Sequence, residues 1–289
     1  MSTFTALTTI NDKSKAEALA EALENLTPEP TGVGVFEVED GSDTWEVGGY
    51  FTEQPDEVGL DLLAAMNGAK PFAVSELADR DWVAQVRREL TPVYAGRFVV
   101  FGAHDRDTIP SNLILLEIEA AMAFGTGHHE TTQGCLLSLD KLVTQGMVAK
   151  NVADIGSGTG VLAMAASAVW PCSTLASDID PVATATATAN IAANGFKGRI
   201  SCHTAVGFRN SAIRCAAPFD LIFANILAGP LKRLAPDMAE HTGRGSVLIL
   251  SGILNTQATG VEATYKGWGF HRSERREIGE WTTLTLQRG

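Results

Sequence analysis

Asp154, Gly156, Gly158 and Gly160 stand in the run V-A-D-I-G-S-G-T-G, Val152 to Gly160, where a short apolar strand meets an acid and then three glycines at alternate positions. Glycines permit turn angles that side chains forbid and let the backbone approach a ligand closely. An apolar helical stretch, 161–169, and a second strand, 173–177, follow. That strand ends at Asp178, 22 residues after Gly156. An acid at the tip of the second strand is placed to accept hydrogen bonds from ribose hydroxyls. The chemistry offered is therefore capture of a nucleoside-bearing ligand. Further along, F-D-L-I-F-A-N, Phe219 to Asn225, is an apolar strand ending in Asn225 and followed by I-L-A-G-P. An Asn there serves either to hydrogen-bond an amine or amino-acid moiety at the strand end, or to cap the next helix.

The loop separates two kinds of nucleotide site. The dinucleotide fingerprint is G-x-G-x-x-G, with a helix N-terminus aimed at a pyrophosphate. Its third glycine would fall at position 161, which is Val161. The pattern D-x-G-x-G-x-G instead resembles motif I of the class I S-adenosylmethionine-dependent methyltransferases. That cofactor carries an adenosine and a cationic sulfonium but no phosphate, so the acid at the loop entry suits it.

These strands and loops need a scaffold. Alternation of strand and helix from residue 151 (151–155, 160–169, 173–178, 181–194, then strands at 199–204, 219–224 and 246–251 with helices near 230–240 and 255–267) predicts a doubly wound, Rossmann-like parallel α/β sheet. Two strand-like runs, 268–272 and 281–287, joined by a charged loop, predict an antiparallel closing hairpin. In such sheets ligands bind at the carboxyl ends of the strands, and the loops 124–132, 156–160, 178–180 and 225–229 all fall on that rim. Ahead of this half, 3–10, 13–26, 33–38, 45–51, 55–66 and 72–77 alternate as β-α-β-β-α-β, with Ser14 near the cap of the first helix. That order predicts a small ferredoxin-like α+β domain. The expected division is 1–78 for that domain, 79–95 for a helical linker and 96–289 for the catalytic domain.

The 289 residues are 45% hydrophobic and 19% charged, ordinary for a globular protein. No run of about 18 apolar residues suggests a membrane span, and the first ten residues lack the basic and apolar regions of a secretory signal. A cytoplasmic location is expected. The cysteines Cys135, Cys172, Cys202 and Cys215 form no C-x-x-C, so they read as reduced thiols, and no metal site is expected. The net charge of −12 is uneven: residues 1–69 hold 14 acids against Lys13 and Lys15, and the remainder is balanced. Such a block is either a solvated face or a docking surface for a basic partner. It disfavours direct nucleic-acid binding, which uses basic patches.

Five separated segments carry a closer resemblance: A-F-G-T-G-H-H-E-T-T (123–132), V-A-D-I-G-S-G-T-G-V-L-A (152–163), S-D-I-D-P (177–181), A-N-I-L-A-G-P-L (224–231) and L-S-G-I-L (250–254). Together they resemble the ribosomal protein L11 methyltransferase family over nearly the whole chain, the first segment being the most specific. The resemblance implies methyl transfer from S-adenosylmethionine to lysine ε-amines and the N-terminal α-amine of a basic large-subunit ribosomal protein. It also implies that the N-terminal domain recognises this substrate. Cofactor contacts are implied at Thr132, Gly156, Asp178 and Asn225, and motif I adds Asp154, Gly158 and Gly160. Phe124 and the Gly125–Gly127 loop would lie near the transferred methyl and the target amine, which makes Phe124 and Asn225 the catalytic candidates. Ala120-Ala121 stands where the family's Pro-Gly pair is expected. His128 and His129 read as loop-orienting or helix-capping residues, with a general base as the alternative. Asp180 reads as a helix cap. A monomer is expected. The competing enzyme reading is a class I methyltransferase for RNA or a small molecule, since a fold does not set its substrate.

Overall fold

A computed structural model describes residues 3–23, 25–28, 30, 32–37, 44–77, 92–118 and 128–289. The chain separates into two units, Met1–Arg88 and Glu89–Gly289. In the first, β1 (Thr3–Asn11), α1 (Lys13–Leu23), β2 (Gly32–Glu37), β3 (Thr44–Phe51), α2 (Glu57–Asn67) and β4 (Ala73–Leu77) follow in β-α-β-β-α-β order. The strands lie side by side as β2-β3-β1-β4, all pairs antiparallel, which is the ferredoxin-like arrangement. Ala16, Leu19 and Leu23 of α1 and Leu60 of α2 recur at helical spacing and bury against Ala6, Ile10, Val47 and Phe51 of the sheet. Asp12, not Ser14, caps α1: its carboxylate accepts from the backbone N–H of Ser14 and Lys15. The helix stops at Leu23, short of the expected Leu26, because the chain is already turning toward Pro28 and Pro30. Asp56 caps α2 by accepting from the Val58 N–H, and Gly68 ends it in the left-handed conformation.

The second unit opens with a small sheet, β5 (Val93–Ala95), β6 (Phe98–Phe101) and β7 (Ile114–Glu117). It continues with α3 (His128–Thr144), β8 (Asn151–Ile155), α4 (Val161–Val169), β9 (Ser173–Asp178), α5 (Pro181–Ala193), β10 (Ile200–Thr204), α6 (Ser211–Ala216) and β11 (Phe219–Asn225). The last elements are α7 (Ala228–Glu240), β12 (Thr242–Leu254), α8 (Ala258–Lys266), β13 (Phe270–Ile278) and β14 (Trp281–Arg288). The main sheet runs β10-β9-β8-β11-β12-β14-β13. Its first five strands are parallel, and β14 pairs antiparallel with both neighbours. The apolar runs of β8 and β11 are explained by burial on both faces of the sheet. On one face Leu136 and Leu139 of α3 and Met164 of α4 pack against Val152 and Phe223. On the other, Leu231 and Met238 of α7 and Tyr265 of α8 pack against Ile155 and Ile222. Strand order reverses between β8 and β11, so loops diverge there and open a crevice at the carboxyl ends.

Some expectations are corrected. The charged stretch after Arg272 is not a loop: residues 273–278 continue β13. As the edge strand β13 leaves one side to solvent, so charges are tolerated where strand propensity alone argues against them. The short helix α6 has no signal in the sequence. Of the expected linker 79–95, residues 79–91 lie outside the described residues, and 93–95 form β5.

The segment 119–127 leaves from β7, and β7 is held by a side chain that imitates a neighbouring strand. The Asn194 Oδ1 accepts from the Glu117 N–H at 2.9 Å, and its Nδ2 donates to the Glu117 carbonyl at 2.6 Å. Asn194→Ala removes both bonds and is expected to cost about 1–3 kcal/mol, two net hydrogen bonds at a half-buried site. Urea unfolding checks this, as a lowered midpoint at unchanged slope; an unmoved midpoint means that β7 is held by its pairing with β6 and its apolar contacts, not by Asn194.

Candidate active site

The glycine loop leaves β8 at Ile155 and enters α4 at Val161. Gly156, Gly158 and Gly160 all take positive φ, 74°, 51° and 77°. The Gly156 and Ser157 N–H groups donate to the Ser177 carbonyl at 2.8 and 2.9 Å, which fastens the loop to the end of β9. Across the loop, Asn190 of α5 donates from Nδ2 to the Thr159 carbonyl at 3.1 Å.

Asp178 ends β9 and completes this fastening. Its Oδ2 accepts from the Gly158 N–H at 2.8 Å and its Oδ1 from the Asp180 N–H at 3.0 Å. Each carboxylate oxygen has two lone pairs, so both retain acceptor capacity. Asp180 then caps α5 by accepting from the Val182 N–H at 2.8 Å, as its position before Pro181 suggests.

Asp154 lies beneath the loop, 1% exposed. Its Oδ2 accepts from the Ala163 N–H in the first turn of α4 at 3.1 Å, while Oδ1 is buried without a hydrogen-bond partner. Burial pushes its pKa up to about 7; the Ala163 N–H works against this, and the nearby Asp178 adds to it. Cys135 of α3, another titratable neighbour, is held as a neutral thiol, because burial raises its pKa.

The end of β11 joins this loop through Ile226. A side chain at Gly156 would overlap the Ile226 Cγ2. On the other side, a Cβ at Gly252 (φ +77°) would lie 2.6 Å from the Ile226 carbonyl oxygen and 3.0 Å from its nitrogen. Ile226 is thus gripped between two backbones where only glycine fits. One residue earlier, the Asn225 Nδ2 faces the hydroxyls of Thr131 and Thr132 at 3.3 and 3.5 Å. Both threonines are buried in the first turns of α3. Asn225 is therefore bound to a helix 93 residues away in sequence rather than capping α7, whose N-terminal flank, Leu227, makes no side-chain cap.

Asp154, Gly156, Gly158, Gly160 and Asp178 thus surround one loop, and Asn225 and Thr132 join it at the neighbouring strand end. Phe124 and Gly125–Gly127 lie outside the described residues; His128 and His129 form the start of α3, their side chains likewise outside. Two contributors carry no strong signal in the sequence. Thr131 is indistinguishable from its neighbour in H-H-E-T-T, and Gly252 shows only as part of L-S-G-I-L, with no sign of its contact with Ile226. Among the described residues no group of three or more His, Cys, Asp or Glu could hold a metal ion. The donor set fits an adenosine and an amino-acid cation: an acid at a strand tip for ribose hydroxyls, a glycine loop with open space over Gly158, and an orphaned carboxylate oxygen.

A family model described as ribosomal protein L11 methyltransferase (PrmA) matches residues 4–289. A ribosomal protein L11 methyltransferase of Mesorhizobium japonicum is 44% identical over 280 residues, covering 95% of this chain and 96% of the relative. Its counterpart from Rhodopseudomonas palustris is 41% identical over 282 residues, with 96% and 95% covered. Among solved structures, a ribosomal protein L11 methylase from Lactobacillus delbrueckii subsp. bulgaricus superposes with a TM-score of 0.61 at 27% identity, over 69% of this chain and 98% of that one.

The raised Asp154 gives a pH dependence. Below about pH 4 the carboxyl is protonated in both folded and unfolded chains. From there to about 7 the unfolded chain ionises while the folded one keeps its proton, so stability falls as pH rises; above 7 the penalty is constant. Asp154→Asn keeps an acceptor for the Ala163 N–H and removes the titration. Thermal melting of the ligand-free protein is expected to show the variant gaining on wild type between pH 4 and 7 and no further above. A difference independent of pH contradicts the assignment.

Proposed function

This chain belongs to the ribosomal protein L11 methyltransferase family, whose members are S-adenosylmethionine-dependent protein methyltransferases, and from that premise we propose that it methylates lysine ε-amines and the N-terminal α-amine of ribosomal protein L11. The observation that carries the reading is the meeting of Asn225, Thr131 and Thr132 beside the glycine loop, which supports a nucleoside site and an amine site at one strand end. S-adenosylmethionine supplies a methyl group made electrophilic by its sulfonium. Gly156, Gly158 and Gly160 provide the close backbone approach, and Asp178 accepts from the ribose hydroxyls. Asp154 lies under the loop, where a bound cation would favour its ionised form over the protonated one, and Thr132 and Asn225 bound the ligand's amino-acid end.

Methylation of an amine requires the neutral base. Free lysine ionises near 10.4 and an α-amine near 7.7–8.0. A dry pocket next to another cation lowers both, since burial and like charge each disfavour the ammonium. No strong general base is then required, and orientation is the main task. With Nδ2 directed at the threonines, the Asn225 carbonyl oxygen is left to accept an amine N–H and aim the lone pair, aided by the Ile226 and Leu227 carbonyls. Phe124 offers a π face to cations. His128 and His129 orient the loop rather than act as bases. We assign residues 1–78 to substrate recognition and the unit that opens with β5 to catalysis, with a linker between them. The enzyme acts as a cytoplasmic monomer, on protein rather than RNA. Among the described residues no helix is long and apolar enough to cross a membrane.

Two measurements test this. Incubation with radiolabelled methyl donor and fractionated ribosomal proteins and RNA is expected to label ribosomal protein L11; label in RNA alone sinks the reading. Asp178→Ala is expected to weaken binding of S-adenosylhomocysteine by roughly ten- to hundredfold, the range of a lost bond to a charged acceptor. Unchanged affinity in calorimetric titration removes the ribose assignment.

A further inference from the structure

Helix α2 buries Leu60 and Ala64, and its opposite side is not the polar face that this pattern calls for. Val58, Leu62 and Met66 are 78%, 61% and 74% exposed. They recur at i, i+4 and i+8, so they form one continuous apolar row along the helix rather than scattered surface residues. Single exposed apolar side chains are ordinary, whereas an aligned row marks a contact surface. The row has a charged border: Glu57 and Asp61, themselves four apart and both exposed, run beside it. Exposed Glu53 precedes the helix, and exposed Glu17 and Glu21 form a second acidic row on α1, which packs against α2. All this lies in the part of the chain that holds 14 acids against two lysines.

We propose that the outer face of α2 is the docking site for the protein substrate, with Val58, Leu62 and Met66 as apolar anchors and Glu57 and Asp61 as a rim for the substrate's basic side chains. The inference rests on the function proposed above and adds the surface that selects the substrate. Apolar anchors at helical spacing suit an apolar groove on the partner, and they hold it once it has arrived. The acidic border suits a lysine-rich protein, speeds its approach and orients it, and repels polyanions. A nucleic acid or an acidic protein is excluded as occupant on charge, and a second copy of this face would bring two acidic borders together.

Three full-length variants decide the matter: Leu62→Ser, the triple Val58→Ser with Leu62→Ser and Met66→Ser, and the pair Glu57→Lys with Asp61→Lys. Because these side chains are exposed, melting temperatures are expected to stay at the wild-type value. With ribosomal protein L11 as substrate, the triple variant is expected to lower kcat/KM at least tenfold through KM, leaving kcat at saturation and the affinity for S-adenosylhomocysteine unchanged. The charge-reversal pair is expected to raise KM at low salt and flatten its salt dependence. A wild-type enzyme that labels L11 while the variants match it overturns this inference alone. So does a triple variant that elutes as a smaller species than wild type, since the face is then a contact between copies. A wild-type enzyme that leaves L11 unlabelled overturns the functional reading and the inference together.

Discussion

The side chain of Ile226 lies against Gly156, and its backbone lies against Gly252, with no room for a Cβ on either side. This three-layer contact fixes the spacing between the loop that leaves β8 and the end of β11, and it stacks both against β12. The strands themselves set only direction and register. Asn225 inherits its position from this contact, because it is the residue immediately before the gripped one. The glycine loop is then held from the other side by the Ser177 carbonyl and the Asp178 carboxylate. The glycine loop and the end of β11 are thus joined by packing rather than by flexible chain.

The legibility of the chain followed the range of the interactions. The glycine loop, Asp178 and the strands around them are local patterns: alternate glycines, apolar runs and an acid at a fixed offset. Their places in the fold agree with the reading from sequence. Asn225 was visible as a polar residue closing an apolar strand, but whether it capped a helix or faced a ligand depended on Thr131 and Thr132, far away in the chain. The orphaned oxygen of Asp154 was equally hidden, since composition does not tell how many N–H groups reach a buried carboxylate. Charge misled at β13, where the edge position overrode local preference. At α1, Asp12 displaced Ser14 as the cap because a carboxylate one residue before the helix reaches two N–H groups at once.

The two units divide the electrostatic work. The second unit carries balanced charge, and its acids at the site are each bound to backbone N–H groups, so they act over short range on whatever enters. Most of the described acids of the first unit are exposed to solvent, where they act at distances up to about a Debye length, 8 Å at physiological salt. One arrangement suits the selection of a small cationic ligand and the other the selection of a large basic one. The same kind of residue serves both because burial decides whether its field is local or long-range.

Strand β13 adds one further consequence. It covers the outer side of β14, whose residues Thr282, Thr283, Leu284, Thr285 and Leu286 are all buried. The outward rim of the sheet is thereby Arg272, Glu274, Arg275, Arg276 and Glu277, mostly tied in ion pairs with one another or with Glu262 and Lys141. Without that strand, an uncharged β-branched run would be presented to solvent, the composition from which intermolecular strand addition and fibril growth begin. The β13–β14 hairpin therefore closes the sheet with a charged edge that resists strand addition.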